Sequence, residues 1–295
     1  MKKTIKVGCR ESVLALIQAE IVINSIMKVH SNLEFEVVPI KTTGDRILDV
    51  SLDEAGGKGL FIKELEQALL DRRIDIAVHS YKDMPFEETS GLPVVALSER
   101  EAPNDALVLP IGCLSMDKSK PIGSSSARRA VQFSRLYDGF EVRPIRGNVP
   151  TRISKLDDGE YSALILAQAG LNRLSLQDRI SKVFTTDEMI PAGCQGIIAV
   201  QGRHGEDFSY LDAFHCLDSE FVATAERSFL RALESGCSSP VAVYARLRAS
   251  EILLNGMFVS DDGVMEAGSI SGSKQDACSL GTALGRRLLS RAGWR

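Results

Sequence analysis

Three stretches of this chain place arginine where a helix is about to begin: Gly8-Cys9-Arg10-Glu11-Ser12, Gly123-Ser124-Ser125-Ser126-Ala127-Arg128-Arg129 and Arg146-Gly147-Asn148-Val149-Pro150-Thr151-Arg152. The first turn of a helix carries partial positive charge and unpaired N–H groups, so a cation there opposes the macrodipole. A bound anion reverses the sign, because dipole, N–H groups and guanidinium then act together. Repeated breach of a local rule points to a site more than to scaffold. The ligand it suggests is an anion with several negative groups. Arg10, Arg128, Arg129, Arg146, Arg152 and Arg173 form this set. Guanidinium forks fit carboxylate and phosphate alike, so spacing leaves both open, and any one of these residues alone also suits a solvated surface.

Two further segments bear other chemistry. In Ala77-Val78-His79-Ser80-Tyr81-Lys82-Asp83-Met84-Pro85 an apolar run ends in a polar turn set by Pro85. Asp83 there either serves a cationic reaction centre or ligand N–H groups, or makes a plain surface pair with Lys82. Cys237, in Glu234-Ser235-Gly236-Cys237-Ser238-Ser239-Pro240, is flanked by small residues that leave room for a ligand. A small buried filler is the other reading of it. Arg227 and Arg231 nearby would favour its thiolate. Gly56-Gly57-Lys58-Gly59 lacks the spacer and the hydroxyl residue of a nucleotide-phosphate loop, and reads as a mobile glycine-rich loop carrying Lys58.

The elements that must position these residues follow from periodicity. Strands are expected at Ile5–Gly8, Glu34–Ile40, Ile74–His79, Val94–Leu97, Asp105–Leu109, Glu141–Ile145, Ala163–Ala167 and Ile197–Val200. Helices are expected after Ser12, with Val13, Leu14, Ile17 and Ile21 on one face, and at Leu60–Leu70, Ser126–Tyr137 and Val149–Leu156. Such alternation argues for parallel sheets, with the arginine turns at the carboxyl ends of strands, where open α/β sheets bind ligands. Crossings between two such units are expected at Glu99–Asn104 and Pro191–Gly196. From Asp218 the pattern changes to a helix with Val222, Ala225, Phe229 and Leu233 in register, three strand-like runs and a last helix striped by Ala277, Leu280, Leu284 and Leu288.

Composition bounds the class. A chain of 295 residues predicts two or three domains, and 44% hydrophobic with 25% charged residues is a soluble globular composition. A net charge of −4 weighs against nucleic-acid binding. Six scattered cysteines without a C-x-x-C pair predict free thiols, and the four histidines have no metal-ligand spacing, so no metal is expected. The N-terminal residues carry no apolar leader pattern and no run is long enough to span a membrane, so a cytoplasmic protein without membrane partners is expected.

Ten segments occur in one order: GCRES-x-LAL, TTGD, GGKGLF-x-KELE, AVHSYKDMP, GSSSARR, RGNVPTR, ILA-x-AGL-x-RL, PAGCQG, TAER and SGCSSP. Together they resemble the porphobilinogen deaminase (hydroxymethylbilane synthase) family from about Ile5 to Gly268. The resemblance implies an α/β fold: two periplasmic-binding-protein-like α/β domains around a cleft plus a small α+β C-terminal domain. Domain 1 would comprise residues 1–99 and 197–216, domain 2 residues 104–192, and the cofactor-attachment domain residues 218–295. It implies a monomer whose small-molecule substrate is porphobilinogen. It also implies a dipyrromethane cofactor held by a thioether at Cys237, and head-to-tail condensation of four porphobilinogen molecules with loss of ammonia.

Residue by residue, Asp83 would accept pyrrole N–H groups and stabilise transient positive charge. Lys82, Ser126, Arg128, Arg129 and Arg146 would hold the cofactor's acidic side chains with it. Arg10, Ser12, Arg146, Arg152, Arg173 and Gln195 would hold the substrate, Gln195 near the second crossing, and Lys58 would lie on a loop over the cleft. The sequence departs from the family pattern at Val13 (usually Pro), Cys194 (commonly Gly), Pro150 and Ser235 (frequently Gly). None of these removes a charged or nucleophilic group. A solute-binding or ligand-sensing protein is the rival from another class, but it has no use for Cys237; a phosphate-ester enzyme would need a metal or nucleophile constellation that is missing.

Overall fold

The computed structural model describes residues 4–43, 62–233, 240–260 and 262–293. The chain opens with β1 (Thr4–Arg10), whose inward residues Ile5, Val7 and Cys9 are buried. Ser12 caps α1 (Val13–Met27), its hydroxyl accepting the Ala15 N–H at 3.3 Å. There follow β2 (Glu34–Ile40), α2 (Lys63–Leu70), β3 (Ile76–Ser80), a 3-10 turn at Tyr81–Asp83 and β4 (Val94–Leu97). A second run holds β5 (Asp105–Val108), β6 (Ile122–Gly123), α3 (Ala127–Leu136), β7 (Val142–Arg143), α4 (Val149–Asp157), β8 (Ala163–Ala167), α5 (Gln168–Arg173) and β9 (Lys182–Val183). The chain returns through β10 (Ile198–Gly202) and continues as α6 (Leu217–Leu233). It ends in β11 (Val241–Arg248), β12 (Glu251–Val259), β13 (Met265–Ser273) and α7 (Ala277–Arg291).

Contacts gather the chain into two units, Met1–Glu101 with Ile197–Glu220 and Ala102–Gly196 with Phe221–Arg295. The first contains one five-stranded sheet in the order β2-β1-β3-β10-β4; the second contains the sheet β7-β6-β8-β5-β9 and the three-stranded sheet β11-β12-β13. The alternating pattern led to an expectation of parallel sheets, and the structure corrects it to mixed ones. β2, β1 and β3 are parallel, as are β7, β6 and β8, but β10 and β5 run antiparallel to their neighbours. These are the two strands that directly follow a crossing. Neither has a helix to carry it back to the far edge first, so each starts where its parallel neighbours end. In register, Ile198 lies opposite Ser80 and Asp105 opposite Ala167, the last residues of β3 and β8.

The apolar faces were mostly legible, with one shift. In α1 the buried residues are Ala15, Gln18, Ala19, Val22, Ile23 and Ile26, while Val13 and Ile21 are exposed. This helix is apolar nearly all round, so its hydrophobic period could not choose the face, and the fit of small residues against the sheet did. The strand expected at Glu141–Ile145 is only Val142–Arg143, because Ile145 is bonded to a side chain instead, as described below. Val222, Ala225, Phe229 and Leu233 are all buried on α6, as their spacing predicts. Against that face lies α7, where a Cβ on Gly281 would strike the Ala225 carbonyl and one on Gly285 would come within 2.7 Å of Ala232 Cβ. Absent side chains there let two helix backbones meet. The third sheet packs Ala242, Met257 and Val259 on Val131 of α3 and on Ile190.

Candidate active site

The first cluster belongs to the first unit. Arg10, Ser12, Gln18, His79, Ser80 and Asp83 line one hollow of about 80 Å³, floored by Ala15, Ile62 and Val78. It lies at the carboxyl ends of the parallel strands β1 and β3. Cys9 stays turned into the core, where burial pushes its thiol up to about 11, so it is no nucleophile at neutral pH. Gln18, buried on α1, exchanges a 2.9 Å hydrogen bond with Ser80 and ties the helix to the end of β3. Beyond Ser80 the chain makes a single 3-10 turn. Tyr81 N–H donates to the Ile197 carbonyl at 3.0 Å and Met84 N–H to the Tyr81 carbonyl at 3.2 Å. Tyr81 and Met84 are buried, which leaves Lys82 and Asp83 half-buried at the rim. Of the pair, Asp83 lines the hollow.

A second cluster surrounds Asp105, fully buried at the start of β5. Arg128 Nη1 donates to its Oδ2 at 2.7 Å and to the Ile190 carbonyl at 2.7 Å. Arg129 Nε donates to Oδ1 at 2.9 Å and its Nη1 to the Ile165 carbonyl at 2.9 Å. Gln195 Nε2 donates to the same Oδ1 at 3.1 Å and to the Pro103 carbonyl at 2.6 Å. Burial pushes the Asp105 carboxyl up, but the Arg128 and Arg129 guanidinium groups outweigh it and hold the group well below the ordinary carboxylate range. Arg128 and Arg129 thus point inward from the first turn of α3, and Ser126 caps that turn by accepting the Arg129 N–H at 3.4 Å. Two guanidinium groups share one carboxylate, so this triad keeps one positive charge in excess at a helix start.

The other three site arginines of the second unit sit on a turn (Arg146), in the first turn of α4 (Arg152) and at the end of α5 (Arg173). Arg146, half-buried, precedes Gly147, whose φ of 107° is left-handed and whose place would bring a Cβ within 2.8 Å of Thr151 Cγ2. Asn148 then caps α4 by accepting the Thr151 N–H at 3.0 Å. Pro150 falls in the first turn, where no N–H is needed, so that departure from the family pattern leaves the turn intact. Arg152 Nε bonds back to the Gly147 carbonyl at 2.8 Å. Arg173 Nη2 bonds to the Gly196 carbonyl at 2.7 Å. Cys194 is buried with a φ of 61°, a conformation that glycine adopts without cost, and its N–H is held by Glu226 Oε2 at 2.6 Å. Lys58 and Cys237 lie outside the described residues.

A family profile described as porphobilinogen deaminase, dipyromethane cofactor binding domain, matches residues 5–210. A second, described as porphobilinogen deaminase, C-terminal domain, matches residues 221–290. The chain belongs to the porphobilinogen deaminase family. It is 52% identical over 288 residues to the porphobilinogen deaminase of Acetivibrio thermocellus, covering 98% of this chain and 99% of that one. Identity to the protein of the same name from Ruminiclostridium cellulolyticum is 50% over 289 residues, 98% of each. To that of Carboxydothermus hydrogenoformans it is 38% over 296 residues, 99% and 95%. Among solved structures, the BenM effector binding domain with benzoate aligns with 81% of this chain and 97% of that one at a TM-score of 0.43 and 15% identity.

Three residues of this porphobilinogen deaminase family chain matter to the site without having been marked by type and spacing. Asp105 reads in sequence as the start of an apolar strand; an acid opening a buried run was the available signal. Ser125 donates to the Ile145 carbonyl at 2.6 Å and accepts the Ile145 N–H at 3.0 Å, tying the Ser124–Ser126 turn to the segment that carries Arg146. A serine among serines gives no warning of that. His79 was visible in its motif, but nothing there separated it from a core histidine.

Proposed function

We propose that this chain is a hydroxymethylbilane synthase, a transferase that joins four porphobilinogen molecules head to tail, releases ammonia at each step, and frees the linear tetrapyrrole by hydrolysis. Family membership over nearly the whole chain supports this, and the observation in the fold that carries it is the hollow lined by Asp83 together with Arg10 and Ser12. Each step breaks the aminomethyl C–N bond, forms a C–C bond from that methylene to a pyrrole α-carbon, and returns the α-proton to solvent or base. The carboxylate of Asp83 suits the pyrrole N–H groups and the positive charge that develops as ammonia leaves. Arg10 and Ser12 would orient the acetate and propionate of the incoming porphobilinogen.

The residues fit an acidic dipyrromethane. Arg128 and Arg129, with their excess positive charge, would hold its carboxylates with Ser126, Lys82 and Arg146, and Cys237 would anchor it. When bound, the dipyrromethane supplies the pyrrole α-carbon that accepts the first unit. Arg146, Arg152 and Arg173 would take up acidic groups as the chain lengthens, Gln195 near the second crossing would join them in holding the substrate, and Lys58 would lie on a loop over the cleft. The division into residues 1–99 with 197–216, 104–192 and 218–295, action as a cytoplasmic monomer, and the absence of nucleic-acid or membrane partners belong to the same reading.

Intact-protein mass spectrometry tests it. The protein should carry an excess equal to two pyrrole units, mapped to the peptide holding Cys237, and should convert porphobilinogen to hydroxymethylbilane. An active enzyme with an unmodified Cys237 would overturn the anchor assignment.

A further inference from the structure

His79 lines the hollow beside Arg10 and Asp83, yet the scheme above gives it no task. The residue is almost fully buried, and its Nε2 has no hydrogen-bond partner. One other buried orphan lies on the next strand: Gln201 Oε1. The β3–β10 register sets His79 opposite Ala199 and Ala77 opposite Gln201, so His79 and Gln201 are diagonal neighbours on one sheet face. The Gln201 amide nitrogen is committed, donating to Glu66 Oε1 and to the Leu92 carbonyl at 2.9 Å each. Its oxygen can therefore only accept, and the imidazole form that matches it carries the proton on Nε2.

We infer that His79 is a substrate-binding residue: a neutral imidazole whose Nε2–H is directed at Gln201 Oε1 and whose Nδ1 lone pair accepts an N–H of porphobilinogen in the hollow. The two atoms do not meet hydrogen-bond geometry, though Gln201 bears on the ring's protonation. Burial, with the nearby Arg10 guanidinium, holds the ring's pKa down to about 4, so it stays an acceptor at neutral pH. With Nε2 assigned to Gln201, Nδ1 is the ring nitrogen left to meet a ligand in the hollow that His79 lines. Asp83 is acceptor-only as a carboxylate, and a second acceptor of different reach would fix the tilt of a pyrrole ring that Asp83 alone leaves free to rotate. The inference rests on the function proposed above for the identity of the donor, but not for the tautomer.

The test has two arms on the full-length protein. Imidazole 15N NMR of histidine-labelled chain near pH 7.5 should show a neutral Nε2–H ring whose signals vanish in His79→Asn and whose tautomer is scrambled in Gln201→Leu. In steady-state assays, His79→Leu should raise the KM for porphobilinogen about tenfold, the loss of one hydrogen bond of about 1.4 kcal/mol. His79→Asn, which keeps an acceptor near the Nδ1 position, should stay within about threefold. An Nδ1–H or protonated ring in active enzyme overturns the inference, as does a His79→Leu enzyme with the KM of His79→Asn. A wild-type chain with an Nε2–H ring that does not consume porphobilinogen removes the proposed function and the substrate contact, and leaves the tautomer assignment standing.

Discussion

Asp83 owes its place to one turn: Tyr81 and Met84 are buried on either side of it, so the carboxylate at the rim of the hollow is held by packing. Asp83→Ala should leave the circular-dichroism spectrum and urea midpoint unchanged and lower porphobilinogen turnover by about 100-fold or more, the scale of losing a charge-stabilising group. Near-normal turnover would remove Asp83 from its role. Two buried groups set the acid response. His79 binds fewer protons folded than unfolded between its ordinary value near 6.5 and its lowered value of about 4. Acid therefore favours the unfolded chain across that window. Asp105, held low by Arg128 and Arg129, contributes stability that is present above about pH 4 and lost progressively below it. Urea midpoints should accordingly fall in two stages, from about pH 6.5 to 4 and again below, with His79→Asn flattening the first stage. Asp105→Asn should destabilise the chain by about 3–5 kcal/mol at pH 7, because it strands two buried guanidinium groups.

At the scale of elements, helix starts and helix contacts carry the architecture. Ser12, Ser126 and Asn148 each accept an N–H of their own first turn, and each stands beside an arginine of the candidate site. Capping and site thus share residues, because both need a helix N-terminus facing the ligand edge of a sheet. The pairing of α6 with α7 depends on glycine in a different way. A Cβ at Gly281 would meet the Ala225 carbonyl, main chain that cannot step aside. Gly281→Ala, although it raises helix propensity, should destabilise by about 1–3 kcal/mol in urea unfolding. A stabilised variant would show that the two helices are not in contact there. In sequence the apolar stripes of both helices were readable, and the glycines that let them touch were not.

Across the whole molecule, the arginines are divided between two units, Arg10 in one and Arg128, Arg129, Arg146, Arg152 and Arg173 in the other. If each unit holds acidic groups of a different part of the growing chain, then Arg10→Leu and Arg152→Leu should accumulate covalent intermediates of different length. Mass spectra of enzyme quenched during turnover would resolve them. Two variants that stall at one length would argue against stepwise carriage. Within the second unit, Glu226 is fully buried and accepts both the Cys194 and Ala245 N–H groups at 2.6 Å, tying the end of the second crossing to the first strand of the third sheet.

Residue type and order were sufficient for the family and for most of the elements, because periodicity, caps and charged side chains act over a few neighbours. Tertiary structure alone decided the rest. It made β5 and β10 antiparallel, chose the buried face of α1, turned Arg128 and Arg129 inward onto Asp105, and set His79 diagonal to Gln201. The physical reason is common to all four. Burial and partnership depend on residues tens of positions away, and a local pattern shows that arginines stand at a helix start without showing which carboxylate they already share.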